Sequence, residues 1–344
     1  MKKNFLYLLA LLLLGVAVWY FVFRNSNSTI SFNEKNFAVE DTASIGKIFM
    51  AGMNGQSVTL DRNDAGTWLV NNKYPARKDA MEILLTTIKN LSIKYPVPEA
   101  ARNSILKNMA TKNTKVEIYN LHDELIASYY VGEGTNDNNG TYMKTIEGDN
   151  PYVVTIPGFR GVLTVRYVTD AEDLRDRSIF NLPLNQISEV TTHYFGKEDS
   201  SFSLHVYGVD SFSVMNYKNR QTINPSLINK DKVGAYLILF RFTNAEAFEN
   251  TNKNKDSILL QQPFCEITAT DVKGNKYSAL CYYKPLDQSS LQQFPNDGQP
   301  LEHDTDHYYA LINSGKDFVL IQQFHFGRLF QKINFFYRKS SDRK

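Results

Sequence analysis

The sequence predicts an α+β protein in which an N-terminal transmembrane helix is followed by two related strand-rich lobes. Each lobe is predicted to contain antiparallel meander strands and one or two packed helices. An uninterrupted apolar run covers residues 5–23. Phe, Tyr and Trp make up 13% of the chain, and such residues favour half-buried pleated surfaces. The order of predicted elements in the first half also recurs in the second, and 344 residues are enough for two domains.

The apolar run from Phe5 to Phe23 has the length and flanks of a membrane anchor. As a helix it spans roughly 28 Å, close to a bilayer core of about 30 Å. Two lysines precede the run, and Trp19 and Phe23 lie at its far end. Lysines favour the cytoplasmic side, and aromatic side chains favour the membrane interface. We therefore expect residues 1–29 to form a single-pass inner-membrane anchor and short linker, with the bulk of the chain in the periplasm.

A cleaved signal peptide is the alternative for this segment. Signal peptides have an apolar region of about 7–15 residues followed by small residues at the cleavage site. Here the apolar run is longer, and the residues just before Arg24 are bulky and mostly aromatic. These features favour an uncleaved anchor.

The first lobe, residues 30–170, is predicted to mix a meander with two helices. Apolar residues between 77 and 93 recur at three- and four-residue steps, which is the spacing of one helix face. Pro96 and Pro98 are expected to end this helix. The predicted elements are strands at 45–50, 58–60 and 68–70, helices at 77–93 and 99–110, and strands at 116–119, 126–131, 142–146 and 152–156.

The second lobe, residues 171–344, is predicted to repeat this order. Phe202–Leu204 corresponds to Val58–Leu60, and the strands beginning at Tyr308 correspond to those beginning at Tyr142. The offset between matching elements grows along the chain, as insertions alone would produce. Residues 236–242 resemble a strand by composition, but their alignment with helix residues of the first lobe predicts a helix. We interpret the pattern as an internal duplication.

The two cysteines, Cys265 and Cys281, flank a predicted hairpin whose turn is Lys273–Asn275. A three-residue loop places residue 265 opposite residue 281, whereas a loop one residue longer places Tyr282 there. In an oxidising compartment the first register permits a cross-strand disulfide. Two half-buried free thiols are the alternative.

The sharpest candidate for chemistry is the tract from His303 to His307. Two histidines four residues apart share one face of a helix, and Asp304 stands where a zinc hydrolase carries its acidic base. However, Pro300 precedes the tract and strand-like residues follow it at once, which leaves little room for a helix. A solvated polar loop that begins a strand is the favoured interpretation, and a tethered metal-dependent hydrolase using His303, Asp304 and His307 is the alternative.

Other constellations predict no chemistry. The net charge is +2, and no basic block is interleaved with aromatic residues, so no nucleic-acid partner is expected. The glycine-containing segment 132–140 joins two predicted strands and carries acidic residues, which indicates a hairpin connection rather than a phosphate cradle. No cofactor is expected.

A dispersed set of motifs across the chain resembles the Bacteroidota branch of the domain-of-unknown-function family 4340. The motifs that carry this resemblance are residues 41–42, 45–48, 68–71, 73–79, 116–119, 130–132, 140–143, 156–159, 175–180 and 308–322. The resemblance implies an envelope protein with an N-terminal membrane signal and no established reaction. At the level of the broader family, the resemblance also implies a link with transport systems of the kind associated with gliding motility. No catalytic residues carry over.

These observations predict a non-enzymatic envelope protein whose extracytoplasmic lobes bind a protein partner or ligand. An accessory role in a membrane transport or motility system fits the resemblance.

Overall fold

A computed structural model describes residues 36–208, 211–287, 290 and 301–338. The chain divides into two compact units, one ending at Asp176 and the other beginning at Arg177. Antiparallel strands dominate both units and helices are few, so the strand-rich α+β class is confirmed. Within these ranges no helix is long and apolar enough to cross a membrane. The predicted anchor, with Phe5, Trp19 and Phe23, lies outside them.

The first lobe is built on a nine-stranded antiparallel sheet with the order β4-β3-β2-β1-β6-β7-β8-β9-β5. Its strands are β1 (Ile45–Gly52), β2 (Ser57–Arg62), β3 (Trp68–Val70), β4 (Tyr74–Pro75), β5 (Ser92–Pro96), β6 (Thr114–Asn120), β7 (Leu125–Gly134), β8 (Thr141–Thr145) and β9 (Tyr152–Thr155). Its helices are α1 (Lys78–Asn90), α2 (Glu99–Thr111) and α3 (Ala171–Leu174).

Helix α1 packs on the sheet through the apolar face that the sequence predicts. Met81, Leu84 and Ile88 are buried at three- and four-residue steps. They join a core to which the strands contribute alternate residues, such as Ile48 and Met50 of β1. This alternation is typical of a sheet with one face covered.

Helix α1 ends earlier than its periodicity predicts, and the expectation that Pro96 and Pro98 end it is wrong. Leu91 already has extended ψ (131°), and Ser92–Pro96 forms β5, which pairs with β9 at the edge of the sheet. A proline is tolerated at a strand end or on an edge strand, because no ladder hydrogen bond is lost there. The second helix and the meander β6–β9 lie where the sequence places them.

The second lobe contains an eight-stranded antiparallel sheet with the order β13-β12-β11-β16-β17-β18-β19-β15, and a two-stranded sheet of β10 and β14. Its strands are β10 (Ser178–Phe180), β11 (Ile187–Tyr194), β12 (Phe202–Gly208), β13 (Ser211–Asn216), β14 (Thr243–Asn244), β15 (Ala247–Phe248), β16 (Cys265–Asp271), β17 (Lys276–Tyr283), β18 (His307–Ile312) and β19 (Asp317–Gln322). Its helices are α4 (Lys230–Ile238) and α5 (Lys255–Leu259).

The helix predicted near residues 236–242 from the alignment is confirmed. Helix α4 continues into a 3-10 turn at Leu239–Arg241. Tyr236 and Phe240, four residues apart, are both buried in the core of this lobe. Burial of one helical face therefore overrides the strand propensity of the aromatic and β-branched residues.

Apart from β4, the first sheet has the same strand order as the eight-stranded sheet of the second lobe. The corresponding strands β1 and β11 both carry a register shift at the start. It lies between Ile45 and Lys47 in β1 and between Ile187 and Glu189 in β11. Two backbone hydrogen bonds also recur, from Arg77 N to Leu174 O and from Asn229 N to Phe336 O. The internal duplication stays a prediction. Two sheets with the same strand order are what a duplication would produce.

The first lobe extends beyond the predicted boundary at residues 170 and 171. Arg77 N donates to Leu174 O, and Asp176 N donates to Pro75 O, both at 2.8 Å. Residues 171–176 therefore close the edge of the first sheet.

Candidate functional site

A groove of about 590 Å³ lies beside helix α1 in the first lobe. One wall is the helix face that carries Met81 and Leu85, and the other is formed by Trp68 of β3 with Pro75 and Ala76. The second wall is fixed by the sheet, since Trp68 pairs with Arg62 of β2 and its carbonyl accepts from Ala76 N at 2.8 Å. The groove is thus held by regular elements rather than by long loops.

The floor of this groove is apolar and its rim is polar. Met81 and Ala76 are buried, and Trp68 and Leu85 are partly buried. The charged side chains along the helix, Lys78, Glu82 and Lys89, are all exposed. No polar residue of the lining is buried, because Thr42 is partly buried and the remainder, including Asp176, are exposed.

Larger side chains occupy the positions of the second lobe that correspond to this groove. Arg77 and Asn229 donate the backbone hydrogen bonds that recur in the two lobes, so the residues just before them, Ala76 and Ile228, correspond. The 3-10 turns that precede β1 and β11 begin at Thr42 and Leu184, so these two residues correspond as well. Ile228 belongs to the second-lobe core, and Leu184 packs against that core. The groove therefore depends on small residues that the first lobe has at these two positions.

Trp68 takes part both in the packing of the first lobe and in the groove. Its strand-like sequence context predicts the packing. The sequence alone gives no signal for the open space beside Trp68, because that space depends on Thr42, 26 positions earlier, and on Ala76, 8 positions later.

A buried polar network lies at the start of β18 in the second lobe. The Asp304 carboxylate accepts from Lys284 Nζ at 3.1 Å and from the Ser290 hydroxyl at 2.9 Å. It also accepts from the backbone amides of Asp306 and His307, at 2.8 and 3.0 Å. The side chain of Asp304 is 1% exposed and that of Lys284 is 4% exposed. The network ties the segment around residue 284 to the segment that enters β18.

The hydrogen bonds of this network decide its charge state. Burial opposes ionisation of Asp304, but the donors from Asp306, Lys284, Ser290 and His307 outweigh it and lower the pKa of this carboxyl. Burial likewise opposes the charge of Lys284, yet the carboxylates of Asp287 and Asp304 raise the pKa of its ammonium. Both groups are therefore ionised at neutral pH.

The His303–His307 tract is not helical, and its predicted solvation is wrong at Asp304. The His303 ring packs on Tyr283 with ring centroids 4.0 Å apart. The His307 ring lies between two carboxylates, with Nδ1 3.5 Å from Asp304 and Nε2 3.4 Å from Glu246. In the part of the chain that the structure describes, no three His, Cys, Asp or Glu side chains converge as a metal site.

The cysteine hairpin has the register of the three-residue loop, with Cys265 directly opposite Cys281. Both residues are buried free thiols in the structure. Burial raises the pKa of both thiols. They are therefore held in the unreactive protonated form, and the disulfide stays a prediction.

The glycine-containing segment 132–140 forms the hairpin connection between β7 and β8, as predicted. The Asp137 carboxylate accepts from the Thr135 hydroxyl at 2.5 Å and from the Asn139 amide at 3.2 Å. These donors lower the pKa of Asp137 to about 2. The polar groups of the loop thus serve the turn itself.

Fold and groove together define a two-lobed antiparallel α+β protein with an open apolar groove in its first lobe. The family model for the domain of unknown function DUF4340 matches residues 68–263, more than half of the chain. The chain therefore belongs to the DUF4340 family, as the motif resemblance predicts. The match begins at Trp68 and includes helix α1, whereas Lys284 and Asp304 lie beyond it. Comparisons with curated proteins and with solved structures give no match.

Proposed function

We propose that this chain is a non-enzymatic binding protein of the cell envelope, of the Bacteroidota branch of its family. Residues 5–23 anchor it in the inner membrane, and its lobes lie in the periplasm. The first-lobe groove binds an extended segment of a protein partner that inserts an apolar side chain beside Trp68. An accessory role in a membrane transport or motility system follows from the family resemblance. The open apolar groove is the observation that carries the proposal.

The arrangement of the groove supports a protein as the occupant. Protein interfaces combine an apolar centre with a charged or polar rim, and this groove has Met81 and Trp68 inside and Lys78, Glu82 and Lys89 along its edge. Tryptophan is also enriched among the residues that dominate binding energy. Removing such a residue typically costs at least about 2 kcal/mol of binding free energy, or roughly a thirtyfold loss of affinity.

The polarity of the lining argues against a small polar metabolite. Sites for small molecules carry a few precisely placed polar groups that orient the ligand within an apolar pocket. Here the threonines and charged residues of the lining lie on the exposed or half-exposed rim, not on the floor. An apolar side chain presented by a peptide needs no such orienting group, because the polar rim positions the backbone of the peptide.

The second lobe supplies the substitutions that test the proposal. Thr42→Leu combined with Ala76→Ile places in the first lobe the side chains that the second lobe has at the corresponding positions. The double variant should fill the groove without opening a cavity. The full-length protein, carrying an affinity tag, is purified from its native membranes, and the co-purifying proteins are quantified. We expect one abundant partner of the wild-type chain to fall at least tenfold with the filled groove.

The matched control is Ala110→Ile combined with Thr305→Leu, at exposed positions outside the groove. Circular dichroism verifies that both variants fold. The proposal fails if the filled-groove variant folds and retains every partner at the wild-type level, or if the control variant loses the same partner.

A further inference from the structure

A second cavity, of about 530 Å³, lies in the second lobe where the turn after helix α4 meets the end of β19. Three side chains that can carry positive charge line it: Arg241, His325 and Arg328. All three are exposed. In the part of the chain that the structure describes, no carboxylate lies within ion-pair distance of these three residues.

One carboxylate, that of Glu246, is part of the cavity wall. Its Oε2 atom is buried, lies 3.4 Å from His307 Nε2 and makes no hydrogen bond to the part of the chain that the structure describes. The two exposed guanidinium groups outnumber this carboxylate, so the charge of the opening is positive. Guanidinium forks match the oxygens of phosphate and carboxylate groups and bind them in a bidentate manner.

Exposed apolar side chains surround these cations. Ile238 and Phe242 line the cavity and are 61% and 73% exposed. Phe324 is 80% exposed, and its ring contacts His325 with centroids 5.0 Å apart. Apolar and aromatic side chains interleaved with arginines are typical of surfaces that contact the headgroup region of a membrane.

We propose that this cavity binds the phosphoryl headgroup of an anionic phospholipid, with Arg241 and Arg328 on the phosphate and Ile238, Phe242 and Phe324 against the acyl region. The exposed apolar side chains favour a lipid over free phosphate, because a free anion has nothing to place on them. The site is separate from the first-lobe groove and does not rest on it.

The test uses the purified full-length chain in a neutral detergent and calorimetric titration with short-chain phosphatidylglycerol below its micelle concentration. The same titration with short-chain phosphatidylcholine and with inorganic phosphate separates headgroup charge and lipid source. We expect saturable binding of phosphatidylglycerol, and binding at least tenfold weaker for the other two. Raising the salt concentration should weaken the binding.

Arg241→Gln combined with Arg328→Gln should reduce the affinity for phosphatidylglycerol at least tenfold. Arg220→Gln, at an exposed arginine of the same lobe that does not line the cavity, should leave it unchanged. Equal affinity for the two lipids, equal affinity for inorganic phosphate, or an unchanged affinity in the double variant would each overturn the proposal.

Discussion

Removing the carboxylate of Asp304 should destabilise the second lobe by about 3 kcal/mol. Breaking a buried ion pair from one side costs about 3–5 kcal/mol, because the remaining charge stays buried without its partner. In Asp304→Ala the 4%-exposed Lys284 loses one carboxylate. It keeps Asp287 at 2.8 Å, which places the expected cost at the lower end. The Ser290 hydroxyl and two backbone amides lose their acceptor as well.

The two tryptophans of the chain make this cost measurable in one lobe at a time. In a Trp19→Phe background, Trp68 is the single tryptophan, so its fluorescence reports unfolding of the first lobe. Far-UV circular dichroism reports both lobes. With a urea slope of about 2 kcal/mol/M, a loss of 3 kcal/mol moves the second-lobe midpoint down by about 1.5 M. The midpoint followed by Trp68 fluorescence should not move.

Asp287→Ala is the matched control, because it removes the half-exposed carboxylate from the same lysine. Its expected cost is below about 1 kcal/mol, as for exposed ion pairs. In a double-mutant cycle, Lys284→Met should recover at least about 1 kcal/mol of the loss caused by Asp304→Ala. A midpoint shift no larger than that of Asp287→Ala, or an equal shift in the Trp68 signal, would refute the reasoning.

Three other predictions concern the second lobe. Because the pKa of Asp304 is lowered in the folded chain, its ionised carboxylate stabilises the second lobe above the unfolded pKa of about 3.9, and this stabilisation is lost as pH falls through the folded pKa. The urea midpoint of the second lobe should therefore fall less steeply below pH 4 in Asp304→Asn than in wild type. Cys265 and Cys281 should react with iodoacetamide at pH 8 at least tenfold more slowly in the folded than in the unfolded chain, because burial raises the pKa of both thiols. If the two cysteines fail to label after unfolding without reductant, they form the disulfide instead. Phe336→Ala should cost about 3–5 kcal/mol in urea unfolding, since the ring is fully buried against Phe202 and Tyr236; a cost below 1 kcal/mol would contradict this packing.

Much of the fold follows from local patterns in the sequence. Helix α1 is predicted from the spacing of Met81, Leu84 and Ile88, because residues at this spacing lie on one face of a helix whatever that face packs against. The cysteine hairpin is predicted from its turn, since loop length sets the register of an antiparallel pair. The helix at Tyr236–Phe240 needed a comparison between the two halves, because its composition alone favours a strand.

The features that matter for function depend on contacts between distant segments. Lys284 and Asp304 are twenty residues apart, in a region whose composition predicts a solvated loop, and their burial arises only when both segments meet beside β18. The groove beside Trp68 arises from small residues at Thr42 and Ala76, which no periodicity marks as special. Strand β5 was missed because its pairing partner, β9, lies more than fifty residues further along the chain.

Site-specific photocrosslinking in native membranes tests the partner-binding groove most directly. A benzoylphenylalanine replaces Leu85, which lines the groove, or Ile83, which is exposed on helix α1 outside it. We predict one discrete adduct from position 85 that is absent from position 83 and disappears with Thr42→Leu and Ala76→Ile. The same adducts from both positions, or an adduct at position 85 that persists when the groove is filled, would contradict partner binding in this groove.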